Sequence, residues 1–524
     1  MRLRCALLTV VGLAWAGMAL CAGAELVFTR ERFDHMDERI DSLRDIANAG
    51  PDEFAWGEGY MLRAYLEMYL ATGDADYLRR LVRVADQIIA TRDDRRPGSR
   101  LRGRPEPVWS VAGKYTVGKL VLRDASGDDA ILLRSIRYAY NDQTRVQVSL
   151  GPQPGTFDLA TSNEFWHKHG NANTTFRALS LDPASPRYFE RVINDPRYVA
   201  SEAFARAAGL DEAPSYLLVA LDLRSLRKAS PRLASVGPKF LVPQAMPYYG
   251  YIGPIYSGMT RFVKLVDDRP DLQPEFGASA QRYLRAARES LAGWEKLWRE
   301  GPRAGEGYYL LDEKGGNMWC DGIMAPFNYL GSAGQVLLNV WDCTGDRRAL
   351  DHAGRIARLF KRCCTRMPNG SYSFPYWSPV GAQGWSKRDR LSVNTPQYGP
   401  NPVADDMSHG AWQVEFAVMC QQRGIVFTRS DMRRLAWTFT RNIWTGDPED
   451  LALRVDGSGG PAGGNNVAGA RWLDLCAFEP DIFSLNRTVW QANGYEKGVY
   501  GALTCGYARL YRWQQRLARG SDTG

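Results

Sequence analysis

One recurring pattern constrains this chain more than any other: an apolar-periodic run, then Thr-Gly-Asp, then a second apolar-periodic run. The first copy runs from Tyr65 to Leu70 into Thr72-Gly73-Asp74 and on through Tyr77, Leu78 and Ala85 to Ile89. The second runs from Leu337 to Val340 into Thr344-Gly345-Asp346 and on through Leu350 and Ile356 to Phe360. Apolar residues three and four apart line one face of a helix. Gly73 and Gly345 can take the left-handed conformation that ends a helix. Asp74 and Asp346 can cap the free N–H groups of the next one. Each unit therefore reads as a helical hairpin with a tight turn. Two further segments share the shape with other turns: Gly253 to Val266, through Pro270, into Gly277 to Trp298; and Gly410 to Arg423, through Gly424 and the capping box Thr428-x-x-Asp431, into a helix reaching Trp444. A last helix is expected from Tyr495 to Gln514. Hairpins that recur with weak similarity imply stacked pairs, each burying a face on its neighbours. The expected fold is mainly α, an α/α toroid of about five to six helical hairpins with an inserted β-rich domain.

The insert is the interval where the helical period fails. Tyr115 to Leu122, Ala130 to Tyr138, Arg145 to Leu150 and Thr156 to Leu159 are short strand-like runs separated by Gly, Asp and Pro. The division expected is 25–107 for the first part of the toroid, 108–241 for the insert and 242–524 for the remainder. Within the insert, Thr174 to Asn194 resembles a stretch of contractile phage-tail sheath proteins, which implies a shared local fold. Residues 378 to 403, with four prolines, are expected as a long polar loop, and Gly457 to Asn466 as a Gly-rich, flexible one. Long loops over a helical scaffold are where sites gather.

Residues 1–24 read as a secretory signal: Arg2 and Arg4, an apolar run from Cys5 to Leu20, then Ala22-Gly23-Ala24 before the expected mature start at Glu25. A periplasmic or secreted location follows. The formal charge of +8 drops to about +6 without Arg2 and Arg4, a weak bias towards an anionic partner. With export, nucleic acid is not expected as a partner. The chain has 16 Trp and 25 Tyr, an excess that suits stacking on sugar rings as well as a helical core. Seven cysteines follow the signal, an odd number. A bridge from Cys343 to Cys363 or Cys364 is expected on the grounds that they lie on neighbouring helices of one hairpin, with connectivity otherwise open. No cysteine spacing suggests zinc, and neither metal nor cofactor is expected.

The hairpin body resembles the α/α-toroid carbohydrate enzymes: uronate-polysaccharide lyases, uronyl epimerases and unsaturated-uronyl hydrolases. The residues carrying this are Trp56-Gly57-Glu58-Gly59-Tyr60, Pro326-Phe327-Asn328 with Ser332-Ala333-Gly334, Asn369-Gly370-Ser371-Tyr372 with Tyr376-Trp377, and Asp405-Asp406-Met407-Ser408-His409-Gly410. The resemblance covers about two-thirds of the mature chain and speaks to fold more than to reaction. It implies a lyase or epimerase acting on an acidic polysaccharide or oligosaccharide. Such chemistry needs a base for the C5 proton, a group to neutralise the neighbouring carboxylate and an acid for the leaving oxygen. His409 is the expected base, because its near-neutral pKa suits the task and it follows the long loop at a helix start. Tyr248, Tyr249 and Tyr251 supply candidates for the acid, with Tyr398 as an alternative. Asn328 can neutralise a carboxylate. Trp56, Glu58, Tyr376, Trp377, Tyr398 and Asp405 are candidates for substrate contact, and Asp406 for a catalytic part.

A glycoside hydrolase on the same scaffold would instead need two carboxyls flanking the bond; Glu58 with Asp406 is the pair available. A non-catalytic glycan-binding or envelope protein is the third reading, and the strand insert makes it credible. His167, His169, Asn171 and Asn173 read as a loop tip. No phosphate loop, dinucleotide fingerprint, nucleophile elbow or zinc-helix motif is present.

Overall fold

The computed structural model describes residues 27–96, 105–113, 116–135, 140–165, 174–194, 218–224, 232–318, 321–378, 403–498 and 500–521. It is mainly helical, with several small sheets. The Thr-Gly-Asp turns behave as their chemistry requires. Helix α1 (Arg30–Asp41) precedes the first hairpin, α2 (Gly59–Thr72) and α3 (Asp76–Ala90). Gly73 sits at φ 75° and returns its N–H to the Tyr69 carbonyl, and Asp74 Oδ1 takes the N–H of Asp76 at 2.9 Å. Next come α4 (Ile252–Asp268), α5 (Gln273–Trp294), α6 (Phe327–Thr344) and α7 (Arg347–Cys363). Gly345 repeats the left-handed turn at φ 69°, and Asp346 caps α7 through Arg348 and Ala349. Helices α8 (Met407–Gln422) and α9 (Arg429–Thr438) follow, the latter with the reciprocal Thr428–Asp431 capping box. A 3-10 segment (Gly463–Ala477), α10 (Asp481–Asn493) and α11 (Gly501–Ser521) complete the order.

The packing of these elements is cyclic. Helix α2 packs on α4, α4 on α6, α6 on α8, α8 on the 3-10 segment, that segment on α11, and α11 back on α2. These inner elements are buried on almost every side, so their sequences carry little amphipathic contrast: in α2, 12 of 14 residues are buried. The remaining helices lie outside: α3 on α2, α5 on α4, α7 on α6, α9 against α8 and the 3-10 segment, α10 on the 3-10 segment, and α1 on α11. The first and last described helices thus form one pair. Backbone N–H groups of Phe28 and Thr29 donate to Gln514 Oε1 (3.0 Å) and the Tyr507 hydroxyl (2.8 Å). Glycine permits a close inner contact: a Cβ on Gly253 would lie 2.5 Å from the backbone nitrogen of Ala333.

Between α3 and α4 the chain forms β1 (Ser110–Val111), β2 (Gly118–Arg123), β3 (Asp129–Ser135), β4 (Thr144–Leu150), β5 (Thr156–Asn163), β6 (Thr174–Ser180), β7 (Leu218–Asp222), β8 (Val236–Phe240), β9 (Val242–Pro243) and β10 (Met246–Pro247). Strands β1 and β10 pair at the stem, Ser110 opposite Pro247. Two four-stranded sheets, ordered β7-β3-β2-β9 and β6-β5-β4-β8, enclose a second apolar core around Ile131, Leu133, Val146, Leu159 and Phe189. The sheath-like stretch is strand β6, a turn and a short helix, Phe189–Ile193.

Two expectations are corrected. The cysteine bridge does not form: Cys343, Cys363 and Cys364 are all free thiols. Cys343 is beside the turn and Cys363 ends the 17-residue α7, so about 25 Å of helix separates them. The Gly-rich stretch after Gly457 is not a loose loop. Leu453 and Arg454 N–H groups bond the Gly460 and Ser458 carbonyls at 2.8 and 3.1 Å, and the chain then winds into the 3-10 segment. Cys320, His167, His169, Asn171, Asn173 and Tyr398 lie outside the described residues. Among the described residues, no helix is long and apolar enough to cross a membrane.

Candidate active site

Asp406 immediately precedes α8 and turns the chain into it. Its Oδ1 accepts the backbone N–H groups of Ser408 and His409, both at 2.9 Å, which is an ordinary N-cap. Its Oδ2 is hydrogen-bonded to His409 Nδ1. The cap therefore also orients the imidazole, leaving Nε2 without a hydrogen bond among the described residues. The His409 side chain keeps 41% of its surface exposed. Burial works against the imidazolium, but the Asp406 hydrogen bond and charge outweigh it and raise the His409 pKa. Asp406 is opposed by burial too, yet its bonds to His409 and to the two N–H groups hold it below the usual carboxylate range.

Around His409 the aromatic residues converge. Trp56 is carried by a π-helical turn, Phe54–Glu58, that leads into α2. Its ring centroid lies 6.3 Å from His409, 6.2 Å from Tyr251, 6.1 Å from Tyr329 and 6.4 Å from Trp412. Tyr376 approaches His409 at 5.2 Å, and Tyr248 meets Tyr251 at 4.5 Å and Tyr329 at 6.1 Å. Trp56, Tyr251, Tyr329 and His409 stand in or just before the first turns of α2, α4, α6 and α8, so those helices begin at one end of the ring. Helix α11 begins there too, since a Cβ on Gly501 would sit 2.3 Å from the Gly57 carbonyl oxygen. Helix N-termini carry partial positive charge, and several pointing to one opening favour an anionic ligand.

Below Trp412 the ring holds a buried charge cluster. Glu415 takes Arg63 at 2.7 Å, Arg509 at 2.6 Å and Arg471 at 3.4 Å, and all four side chains are at most 5% exposed. Burial would push the Glu415 carboxyl up; the three guanidinium groups reverse this and hold it far below its usual range. Arg471 also donates to the Ser408 carbonyl (2.9 Å) and the Tyr60 hydroxyl (3.0 Å). Arg63 and Arg471 each lie over the Trp412 ring, at 4.7 and 4.3 Å. The platform under the opening is therefore cationic and rigidly tied.

No protein-family profile matches the chain, and no curated protein is similar to it in sequence. Among solved structures it is similar to a family 76 α-mannanase from Bacteroides thetaiotaomicron, with 13% identity, 47% of this chain and 60% of that one covered, and a TM-score of 0.30. It is similar to a cellobiose 2-epimerase from Bacillus thermoamylovorans, with 10% identity, coverage of 46% and 61%, and a TM-score of 0.30. It is similar to a family 88 glycosyl hydrolase from Bacteroides vulgatus, with 10% identity, coverage of 93% and 99%, and a TM-score of 0.31. The chain spans about three-fifths of the length of the first two. Likeness at this level assigns neither a family nor a reaction.

The opening gathers several of the residues singled out in the sequence: His409, Asp406, Trp56, Tyr376 and Tyr248. Trp377 borders it, its indole N–H donating to the Met324 carbonyl at 2.7 Å. Asn328, in the first turn of α6, is 1% exposed, and neither amide atom has a hydrogen-bond partner. Three residues lie elsewhere than expected. Tyr249 turns into the core, its ring stacked on Trp294 at 6.3 Å, because successive residues of the Tyr249–Tyr251 turn face different sides. Glu58 is held from outside the ring by Arg44 at 3.0 Å. Asp405 is fully buried behind α8, bonded by Gln413, and touches no opening. Tyr329 and Trp412 were not singled out; the only sequence signal was their place beside Asn328 and His409. Asp405, Asp406 and His409 bring potential metal-ligand atoms within 4.8 Å of one another. Those atoms are already engaged by each other, by Gln413 and by backbone N–H groups, so the set is a hydrogen-bonded dyad with a carboxyl behind it.

Proposed function

We propose that this chain is an exported α/α-toroid enzyme acting on a uronate-containing polysaccharide, as a lyase or C5-epimerase. The observation that carries the reading is the His409–Asp406 dyad opening onto an aromatic-walled mouth. With Nδ1 tethered to a carboxylate, the free nitrogen Nε2 is the one turned to accept a proton, and the tether stabilises the imidazolium that results. The aromatic rings of Trp56, Tyr329 and Tyr376 offer flat faces to the C–H sides of sugar rings. The uronate carboxylate finds the helix N-termini and the field of Arg63 and Arg471. Neutralising that carboxylate lowers the cost of placing negative charge at C5. Tyr376, the phenol ring beside His409, is assigned the acid. In a lyase it protonates the departing oxygen at C4; in an epimerase a proton returns to C5 from the opposite face.

Hydrolysis is less well supported. It needs two carboxyls flanking the bond; among the described residues Asp406 is engaged by His409, and Asp52, another carboxyl beside the aromatic cluster, by the Tyr251 hydroxyl. The test is a panel of uronate polysaccharides. Rising ultraviolet absorbance from an unsaturated uronate identifies the lyase. Solvent deuterium at C5 without that absorbance identifies the epimerase. New reducing ends with neither signal would overturn the proposal.

A further inference from the structure

Behind the dyad is a second carboxyl with unusual company. Asp405 is fully buried. Its Oδ1 accepts the backbone N–H of Asp406 at 2.9 Å, and its Oδ2 lies 2.6 Å from the terminal amide of Gln413. Gln413 is itself 1% exposed, and the other end of that amide, Oε1, has no partner. No cation reaches Asp405 among the described residues. Arg454, on the segment packed against it, spends Nη1 on the Ala404 carbonyl at 2.7 Å. Arg471 is committed to Ser408, Tyr60 and Glu415. The neighbouring charges are Asp406, which repels a second carboxylate, and the His409 imidazole, which Asp406 already binds.

An ionised carboxylate so enclosed, with two hydrogen bonds and no counter-charge, is costly. A separation of 2.6 Å is also short for N–H···O and ordinary for O–H···O. The Gln413 amide can turn over, exchanging its oxygen and nitrogen. Its oxygen then faces Asp405 Oδ2 as the acceptor.

We infer that Asp405 stands as an un-ionised acid, donating its proton to the Gln413 side-chain oxygen while accepting the Asp406 N–H, and is a positioning residue for the dyad. Burial and the Asp406 charge both push the Asp405 carboxyl well above the usual range, in agreement. The consequence is that one negative charge, not two, faces His409. A second carboxylate would raise the imidazole further and spoil it as a base near neutral pH. That consequence rests on the role proposed for His409; the protonation state does not.

The experiment is therefore made without substrate. The His409 titration is followed by NMR in the whole protein, assigned by its absence in His409→Gln. Asp406→Asn is expected to lower the His409 midpoint and Asp405→Asn to leave it unmoved. A fall in Asp405→Asn comparable to that in Asp406→Asn would mean that Asp405 is charged and would overturn the inference. The infrared spectrum of the wild type at neutral pH is expected to contain a carboxylic-acid carbonyl band that Asp405→Asn removes. Should that variant not fold, Gln413→Met serves: losing its acceptor, the band moves to higher frequency, and an unmoved or absent band contradicts the assignment. For activity, Asp405→Ala should lower kcat by about tenfold to a hundredfold with KM little changed, and the isosteric Asp405→Asn should restore most of it.

Discussion

The base proposed, His409, must be neutral to act, and Asp406 holds its pKa above the ordinary value of about 6.5. Turnover should therefore rise with pH through that raised value. Asp406→Asn removes the carboxylate, so the acid limb of the pH–rate profile moves to lower pH while kcat falls on the order of a hundredfold. The same pair contributes stability with two edges. Asp406 is depressed, so its share is present above its unfolded pKa of about 3.9 and is lost as pH falls through the lower folded value. His409 is raised, so its share is present below about 6.5 and is lost as pH rises through the higher folded value. The difference in melting temperature between wild type and His409→Gln should be greatest from about pH 4 to pH 6.5 and shrink on both sides. Deeper in the ring, Glu415→Gln leaves Arg63, Arg471 and Arg509 without their shared carboxylate. It should cost about 3–5 kcal/mol in denaturant unfolding; a loss below 1 kcal/mol would mean the cluster is not the tie described.

At the scale of elements, what could be read from the chain was whatever local chemistry decides. Thr-Gly-Asp at Gly73 and Gly345 encodes its turn in three residues, and Thr428 with Asp431 encodes a helix start in four. Period-two runs such as Thr144–Leu150 encode a strand with one face buried. What escaped depends on partners far along the chain. The 3-10 segment Gly463–Ala477 is an inner element of the ring, yet it starts among glycines and is buried too evenly to show a period. Glu58 looked free until Arg44 supplied its counter-charge, and the π-turn beneath Trp56 shifts a register that helical periodicity assumes constant. His409 and Trp56 were legible as candidates because they open helices; that they meet is a property of the ring. The contact between α4 and α6 tests that packing. Gly253→Ala places a Cβ against the backbone of Ala333 and should destabilise the protein by about 1–3 kcal/mol, measured by denaturant melts.

At the scale of the molecule, the cyclic order of α2, α4, α6, α8, the 3-10 segment and α11 gives one opening where parallel helices begin. The strand insert leaves and re-enters at a single stem, Ser110 paired with Pro247. Replacing residues 112–245 with a short Gly-Ser linker should therefore leave the helical body folded, with its helical circular dichroism intact; its collapse would show that the insert supports the ring. The most direct measurement of the whole account follows carbon-bound hydrogen at C5. A uronate polysaccharide is incubated in heavy water with wild type and with folded His409→Ala, and its deuterium content is read by NMR. The account predicts solvent-derived deuterium at C5, or loss of that hydrogen with an unsaturated product, in the wild type and neither in the variant. Wild-type rates in His409→Ala, or chain cleavage that leaves the C5 hydrogen untouched, would contradict it.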